Sequence, residues 1–363
     1  MLRRPRSGSL RQNTYAEYGG NDVARFAAIG LDHRHIYDLT QGLLDAGQVC
    51  AGYWPETSDP RVLAGFQKRF PDIPDAGKAA LLADRSIDFV VIAAVPRDRA
   101  ALAIEAMRHG KDVLTDKPGV TGFRQLDEIE RTVAETGRIF SIALGHLLSP
   151  SVQAALALLR EGAIGRLVQM TALSPHRLNR ELRPAWFFER DAYGGILADI
   201  GTHQIDLFLA CADADDATLV HSSIGAFGTQ PPGFEDFGEI VLRTDTVRGY
   251  ARVDWFTADG LPSWGDGRLF LLGTEGTIEL RKNLDIAGRP GTDHLFLVDG
   301  RQTSHIDCSG HQLTYYRDFA ADVANRTETA MRQQRVFTVC RLALQAQARA
   351  ERFTAKPPAS PQS

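Results

Sequence analysis

Residues 87–94 read IDFVVIAA, an apolar run that a single charge interrupts. A continuous run of this length, rich in β-branched residues, predicts a strand that is buried on both faces of a sheet. Similar apolar runs occur earlier and later in the first half of the chain, at 25–31 (RFAAIGL), 49–54, 112–115 and 139–144. The first half therefore predicts several buried strands.

Helical patterns separate these strands. Apolar residues recur at helical spacing over 36–44, and Asp59-Pro60 is a typical helix start. Further helices are predicted at 99–108 and 123–136. Alternating strands and helices with right-handed crossovers predict an α/β fold, a doubly wound parallel sheet. Ligands in such sheets bind beyond the carboxyl ends of the strands.

The second half has a different pattern. It predicts an α+β domain with a large, mostly antiparallel sheet and helices near both ends. The boundaries that we expect are a flexible tail at 1–22, a first domain at 23–147, a second at 148–352 and a flexible tail at 353–363. The predicted later strands lie at 167–173, 219–226, 239–242, 250–256, 269–272 and 277–280, and the helices at 152–159, 313–323 and 336–350.

Composition excludes several classes of protein. The 363 residues carry a formal charge of −4, and no apolar run reaches the ~18 residues that a membrane helix needs. We expect neither nucleic acid nor membrane as a partner, because the chain has no broad basic character. The four cysteines form no CxxC pair, which predicts free thiols and a cytoplasmic location. They are Cys50, Cys211, Cys308 and Cys340.

The turn after the first strand reads GLDHRH at 30–35. It keeps only Gly30 of the GxGxxG pattern that lets a backbone approach a dinucleotide pyrophosphate. The N-terminus of the following helix still favours an anion, and side chains can add donors. No third ligand is obvious beside the two histidines, so we expect no metal. The candidate cofactor contacts in this turn are Gly30, Asp32, His33, Arg34 and His35.

The ends of later strands supply further candidates. Glu56 follows the second strand as a possible ribose contact, although no acidic residue ends that strand, which leaves the choice between NAD and NADP open. Ala94, Pro96 and Arg99 follow the third strand. In Asp116-Lys117-Pro118 the proline restricts the backbone of Lys117 and holds an ammonium at the edge of the ligand crevice. A surface lysine in a tight turn is the alternative.

Residues 194–206 read GGILADIGTHQID. On one helix, Asp199 and His203 are four residues apart and share a face, which Asp206 joins. Grouping these side chains on an otherwise apolar helix is costly unless they are paired or functional. The alternative is structural: Asp199 caps the helix and Asp206 satisfies His203.

Taken together, the chain resembles the Gfo/Idh/MocA oxidoreductases, the glucose–fructose oxidoreductase and inositol dehydrogenase family. The resemblance covers roughly residues 23–350. The segments that carry it, in order, are RFAAIGLDHRH, IDFVVIAAVP, GKDVLTDKP, LLREGAIGRLVQM, GGILADIGTHQID and LFLLGTEGTIEL.

This resemblance implies an N-terminal Rossmann domain, NAD or NADP as cofactor, and hydride transfer on sugars, polyols or their derivatives. It implies that Lys117 matches the lysine of the family's EKP motif, with Asp116 in place of glutamate. Asp199 and His203 match the family's paired acid and histidine. A homodimer or homotetramer through the C-terminal sheet is a further implication.

We therefore predict an NAD(P)-dependent dehydrogenase or reductase that acts on CH–OH groups. His203 is the general acid/base, Lys117 polarises the reacting oxygen, and Asp199 binds a neighbouring hydroxyl or orients His203. Two alternatives remain: a redox-neutral lyase or glycoside-cleaving enzyme with tightly bound NAD, and a non-catalytic ligand-binding protein. Besides Asp199 and His203, the candidates for substrate binding are His146, His176, Arg177, Arg183, Trp186 and Tyr193.

Overall fold

A computed structural model describes residues 23–228, 231 and 233–354. The tail expected at 1–22 lies outside the described residues. So does the tail expected at 353–363, except that residues 353 and 354 belong to the last strand.

The first part of the chain forms a five-stranded sheet in the order β2-β1-β3-β4-β5, and all its strands are parallel. This confirms the predicted doubly wound α/β arrangement. The strands are β1 (Arg25–Leu31), β2 (Val49–Tyr53), β3 (Phe89–Ala93), β4 (Asp112–Asp116) and β5 (Phe140–Ala143), and the helices are α1 (His35–Asp45), α2 (Pro60–Arg69), α3 (Lys78–Ala83), α4 (Pro96–Arg108) and α5 (Phe123–Thr136).

Local chemistry explains these boundaries. All five residues of β3 are buried, as expected for a strand with helices on both faces. Asp59 caps α2 by accepting a hydrogen bond from the backbone N–H of Arg61. Gly137 ends α5 in the left-handed conformation, with φ of 62°, which a glycine adopts without strain.

The second part forms a nine-stranded sheet in the order β13-β12-β11-β10-β6-β9-β8-β7-β14. It is mostly antiparallel, as predicted, but β6 pairs with β9 and β7 with β14 in parallel. The strands are β6 (Leu167–Pro175), β7 (Thr218–Ala226), β8 (Phe237–Arg243), β9 (Arg248–Asp254), β10 (Arg268–Gly273), β11 (Gly276–Arg281), β12 (His294–Asp299), β13 (Thr303–Asp307) and β14 (Glu351–Thr354), and the helices are α6 (Pro150–Arg160), α7 (Arg190–Tyr193), α8 (Ile196–Asp199), α9 (Gly201–Cys211), α10 (Tyr315–Asn325) and α11 (Gln333–Arg349).

Helix α10 returns from the second sheet to the first. Phe319 packs edge-on against Phe89 of β3, with ring centroids 5.2 Å apart, and the Tyr315 hydroxyl lies 3.0 Å from the hydroxyl of Ser141. Just beyond the helix, Arg326 forms an ion pair with Asp112 at 2.6 Å. Helix α10 therefore packs on the first sheet, although it follows the strands of the second sheet in the sequence. Within the described residues, no helix has the length and apolar character needed to cross a membrane.

Candidate functional site

A cavity of about 610 Å³ lies at the carboxyl ends of the first sheet's strands, where the second sheet faces them. This volume is typical of a small-molecule site. Three predicted contacts, Gly30, Glu56 and Ala94, do not line it. The predicted residues that do are Asp32, His33, Arg34, His35, Pro96, Arg99, Lys117, His146, His176, Arg177, Arg183, Trp186, Tyr193, Asp199 and His203.

Lys117 and Asp199 meet across this cavity. The Nζ atom of Lys117, just after β4, donates a hydrogen bond of 2.7 Å to Oδ1 of Asp199, at the end of α8. Both side chains are buried, with about a tenth of their area exposed. The Lys117–Pro118 peptide bond is cis. A lysine from the first domain and a carboxylate from the second thus form one ion pair in the cavity wall.

The segment that carries Asp199 and His203 is not one continuous helix, as predicted, but two. Helix α8 ends at Asp199 and α9 begins at Gly201, with Ile200 between them. The four-residue spacing nevertheless brings both side chains to the cavity.

His203 has a definite hydrogen-bonding state. Its Nδ1 accepts a hydrogen bond of 2.9 Å from the backbone N–H of Gly145, so the neutral ring carries its proton on Nε2. Desolvation, with the charges of Lys117 and Lys282, holds the pKa of His203 well below its usual range. The sequence around His203 did not indicate that the fold would bury this ring beside two lysines.

Asp206 does not join this group, contrary to the sequence prediction. It is fully buried and forms ion pairs with His146 Nδ1 at 2.6 Å and with Arg335 of α11 at 2.9 Å. Burial alone would raise the pKa of Asp206, but His146 and Arg335 hold it below its usual range. The structural alternative, in which Asp206 satisfies His203, is also wrong, since His203 bonds to Gly145.

Arg99 is an internal link rather than an exposed cofactor contact. Only 1% of the residue is exposed, and its Nε donates to the Ala94 carbonyl at 2.7 Å. Its two terminal nitrogens donate to Asp116 Oδ2 at 2.9 Å and to the backbone carbonyls of Lys117 and Pro118. The guanidinium therefore ties the end of β3 to the turn that holds Lys117.

Asp116 also contacts both histidines of the first turn. Its carboxylate lies 2.8 Å from His35 Nδ1 and 3.3 Å from His33 Nδ1. These three groups are close enough to hold a metal ion, a juxtaposition that the sequence did not reveal. Burial would raise the pKa of Asp116, but His35 and Arg99 hold it well below its usual range. Because Arg99 already neutralises this carboxylate, we assign the cluster to holding the turn.

The first turn presents side chains rather than glycine backbone to a dinucleotide. Gly30 has φ of 70°, and a Cβ there would lie 2.5 Å from Cβ of Ala94, so this glycine allows β1 and β3 to approach. The carboxylate of Asp32 accepts hydrogen bonds from the backbone N–H groups of Ser58 and Val95. The Arg34 side chain is exposed at the start of α1, lines the cavity, and has no ion pair among the described residues.

Trp186 completes the wall next to this turn. It is buried, and its ring centroid is 6.1 Å from that of His33. Its indole Nε1 is buried without a hydrogen-bond partner in the part of the chain that the structure describes. An unsatisfied donor in a cavity wall fits a site that binds a polar ligand. Together with Arg34 and the N-terminus of α1, it fits a dinucleotide at this edge of the sheet.

Several cavity residues escaped the sequence analysis, among them Trp255, Trp264, Arg268 and Lys282. Trp264 lies in the sequence GLPSWGDG, whose glycines and proline indicate a loop. An exposed aromatic residue in such a loop was the available signal, since loops carry many binding residues. Nothing in the local pattern around Lys282 pointed to the cavity.

Two family models match the chain. The one described as "Oxidoreductase family, NAD-binding Rossmann fold" matches residues 62–144. The one described as "GFO/IDH/MocA C-terminal domain" matches residues 152–279. A solved structure from Erwinia carotovora atroseptica SCRI1043, assigned provisionally to the oxidoreductases, is 42% identical, with a TM-score of 0.87, over 91% of this chain and 99% of that one.

Two curated relatives are more distant. A 2,7-anhydro-N-acetylneuraminate hydratase from Mediterraneibacter gnavus is 25% identical over 61% of this chain and 57% of its own length. A levoglucosan dehydrogenase from Pseudarthrobacter phenanthrenivorans is 28% identical over 41% of this chain and 40% of its own. The chain thus spans about half the length of these curated relatives. The match to the first family model and the geometry of the site agree that the first part of the chain is an NAD(P)-binding Rossmann domain.

Proposed function

This chain belongs to the Gfo/Idh/MocA oxidoreductase family, and on that premise we propose that it transfers a hydride between NAD or NADP and a CH–OH or keto carbon of a sugar, polyol or sugar derivative. The observation that carries the proposal is the ion pair of 2.7 Å between Lys117 and Asp199. It joins the two domains inside one cavity, which His203 also lines. A lysine held in this way is ready to bind a substrate oxygen at the carboxyl ends of the strands.

The first domain would hold the dinucleotide. Arg34 and the N-terminus of α1 would bind the pyrophosphate, and the ring of Trp186 would form the adjoining wall of the site. Bound nicotinamide supplies or accepts the hydride, while the protein supplies position and electrostatics. Tyr193 and His146 are less available for direct contact, because the first is almost fully buried and the second is paired with Asp206.

The contacts of His203 change the roles that the sequence predicted. With its proton on Nε2 and a depressed pKa, the ring is suited to donate a hydrogen bond rather than to take up a proton. In ketone reduction, Lys117 Nζ would transfer a proton to the oxygen as the carbon receives hydride. His203 Nε2–H would stabilise the same oxygen, and solvent would then reprotonate the lysine. Alcohol oxidation runs these steps in reverse.

The proposed function is tested with purified protein, both cofactors and a panel of polyols, sugars and keto-sugars. Binding of NAD⁺ and NADP⁺ is measured by calorimetry, and turnover by the absorbance of reduced nicotinamide. We expect one dinucleotide to bind and at least one sugar or polyol to change its redox state. A protein that binds neither dinucleotide would contradict the proposal and support the non-catalytic alternative.

The redox-neutral alternative gains its support from the relatives named as 2,7-anhydro-N-acetylneuraminate hydratases. The same experiment separates it. A redox-neutral enzyme would retain a dinucleotide through purification and form product, detected by mass spectrometry, with no net reduced nicotinamide. The proposed dehydrogenase would instead form product and reduced nicotinamide in equal amounts.

We also propose that a second copy of this chain covers the open face of the second sheet. Phe270 and Leu272 of β10 alternate with buried neighbours and are 37% and 45% exposed. Exposed apolar groups on a broad sheet face favour association. Sedimentation velocity is expected to give a dimer or tetramer, and Phe270→Lys to shift it toward monomer. Ile286→Lys, which alters a more exposed apolar residue outside a strand, is the control. A monomeric wild type would disprove the proposal.

A further inference from the structure

One wall of the cavity, formed by the second domain, alternates cations with aromatic rings. The ring of His176 lies between two tryptophans, with centroid distances of 5.2 Å to Trp255 and 4.7 Å to Trp264. Cζ of Arg183 lies 5.1 Å from the Trp255 ring, and Nζ of Lys282 lies 5.9 Å from the Trp264 ring. We call these five side chains the cationic wall. Its members come from separate strand ends and loops, so only the fold brings them together.

Neither cation of this wall has a carboxylate within 4.0 Å among the described residues. Arg183 donates only to backbone carbonyls, at 2.8 Å to Leu178 and 3.5 Å to Arg177. The ammonium of Lys282 has no protein hydrogen-bond partner in the described ranges. The contrast with Arg268 is clear, because that residue lines the same cavity and is paired with Asp266 at 2.7 Å.

In the described part of the chain, the carboxylates nearest to these two cations lie more than 4.0 Å away and have other partners. The charge of Asp199 raises the pKa of Arg183, but Oδ1 of Asp199 already accepts a hydrogen bond from Lys117. The charge of Asp293 raises the pKa of Lys282, but Oδ1 of Asp293 already accepts a hydrogen bond of 2.8 Å from Ser151. Burial lowers the pKa of both Arg183 and Lys282. Arg183 and Lys282 are partly buried and lack close counter-ions, so a ligand with a negative charge would complement them.

We propose that the substrate is a sugar acid, whose carboxylate binds at the cationic wall, which carries Arg183 and Lys282, while its ring packs against Trp255 and Trp264. This inference rests on the proposed function. The planar guanidinium of Arg183 suits a planar carboxylate, and aromatic faces suit the apolar side of a sugar ring. The volume of about 610 Å³ also has to admit the nicotinamide, which favours a single sugar ring over a nucleotide-linked one.

The test uses the complex of the protein with saturating NAD⁺ or NADP⁺, whichever binds. Calorimetry compares D-glucuronate, D-galacturonate and D-gluconate with the neutral D-glucose, D-galactose and D-glucitol. We expect at least one acid to bind about 10-fold more tightly than the neutral sugar or polyol that corresponds to it, since a hydrogen bond to a charged group is stronger than one between neutral groups. Lys282→Met is expected to bring this ratio close to one.

Two further variants sharpen the result. Arg183→Met should also reduce the ratio, although Arg183 packs on Phe187, so its unfolding midpoint is measured in parallel. Lys68→Met removes the same charge from an exposed site on α2 and should keep the ratio. Equal affinity for acids and neutral sugars, no binding of any acid, or a ratio that survives Lys282→Met would each overturn the proposal.

The source of the negative charge is tested separately with D-glucose 6-phosphate. Tighter binding of this ester than of all three acids would overturn the carboxylate assignment. Failure of the proposed function would give a different result. Acids would then bind to the protein, but no sugar, acidic or neutral, would change the redox state of the nicotinamide. Turnover of neutral sugars with no preference for acids would instead leave the proposed function intact and reject only this inference.

Discussion

Lys117→Gln is expected to lower kcat/KM by about 10²–10³-fold while the protein still folds and binds its dinucleotide. The amide of glutamine is able to donate a hydrogen bond to Asp199, so the buried carboxylate keeps a partner. It has no proton to transfer and no charge to stabilise the developing alkoxide. Steady-state kinetics on the best substrate of the panel measures the effect, and calorimetry measures the affinity for the cofactor.

The matched control is Lys68→Gln, which makes the same change at an exposed position of α2 and should leave kcat/KM as it is. Lys117→Gln/Asp199→Asn removes both charges of the ion pair and should be at least as slow as the single variant. If Lys117 only stabilised the fold, Lys117→Gln would unfold more readily than the wild type. Its kcat/KM would then stay within about threefold of the wild-type value, because no interaction with the transition state would be lost. That result would remove Lys117 from the chemistry.

The buried strands could be predicted from the sequence because their signal is local. A run such as FVVIA in β3 is apolar at every position, and a strand covered on both faces needs nothing more. By contrast, β13 reads TSHID and none of its residues is buried. It is a strand because it pairs with β12, and nothing within these five residues indicates that neighbouring strand.

In the candidate site, too, some features could be predicted from the local sequence and others depend on the tertiary structure. Lys117 and Asp199 were both predicted, since each lies in a short motif with a marked chemical character. Their ion pair joins positions 82 residues apart, and only the closed cleft reveals it. Burial lowers the pKa of His203 most, and the charges of Lys117 and Lys282, which are distant in the sequence, lower it further. The sequence next to His203 therefore gives no indication of these charges.

Arg99 illustrates a different limit. Its position after the third predicted strand suggested a cofactor contact, because ligands in such sheets bind beyond the carboxyl ends of the strands. In the structure the guanidinium binds Asp116 and three backbone carbonyls instead. The sequence pattern indicated only the end of a strand, whereas the role of Arg99 there depends on its buried hydrogen bonds.

Arg99→Met is therefore expected to reduce the free energy of unfolding by about 3–5 kcal/mol, the usual effect of removing one partner from a buried ion pair. The substitution leaves Asp116, whose side chain is 3% exposed, without its cation, and leaves the carbonyl of Ala94 without its donor. Urea denaturation followed by circular dichroism measures the change. Arg99→Lys keeps the charge but loses the planar fork, so an intermediate loss is expected.

Arg97→Met on the same helix is the control, because Arg97 is half-exposed and its ion pair with Glu189 measures 3.4 Å. Exposed pairs of this kind contribute at most about 1 kcal/mol.

In Arg99→Lys, which should remain folded, the turn that carries Lys117 loses some of its hydrogen bonds. We therefore expect kcat to fall while the affinity for the dinucleotide changes little. An Arg99→Met protein as stable as Arg97→Met would show that the buried network around Asp116 contributes nothing to the fold, and the positioning of Lys117 would then need another explanation.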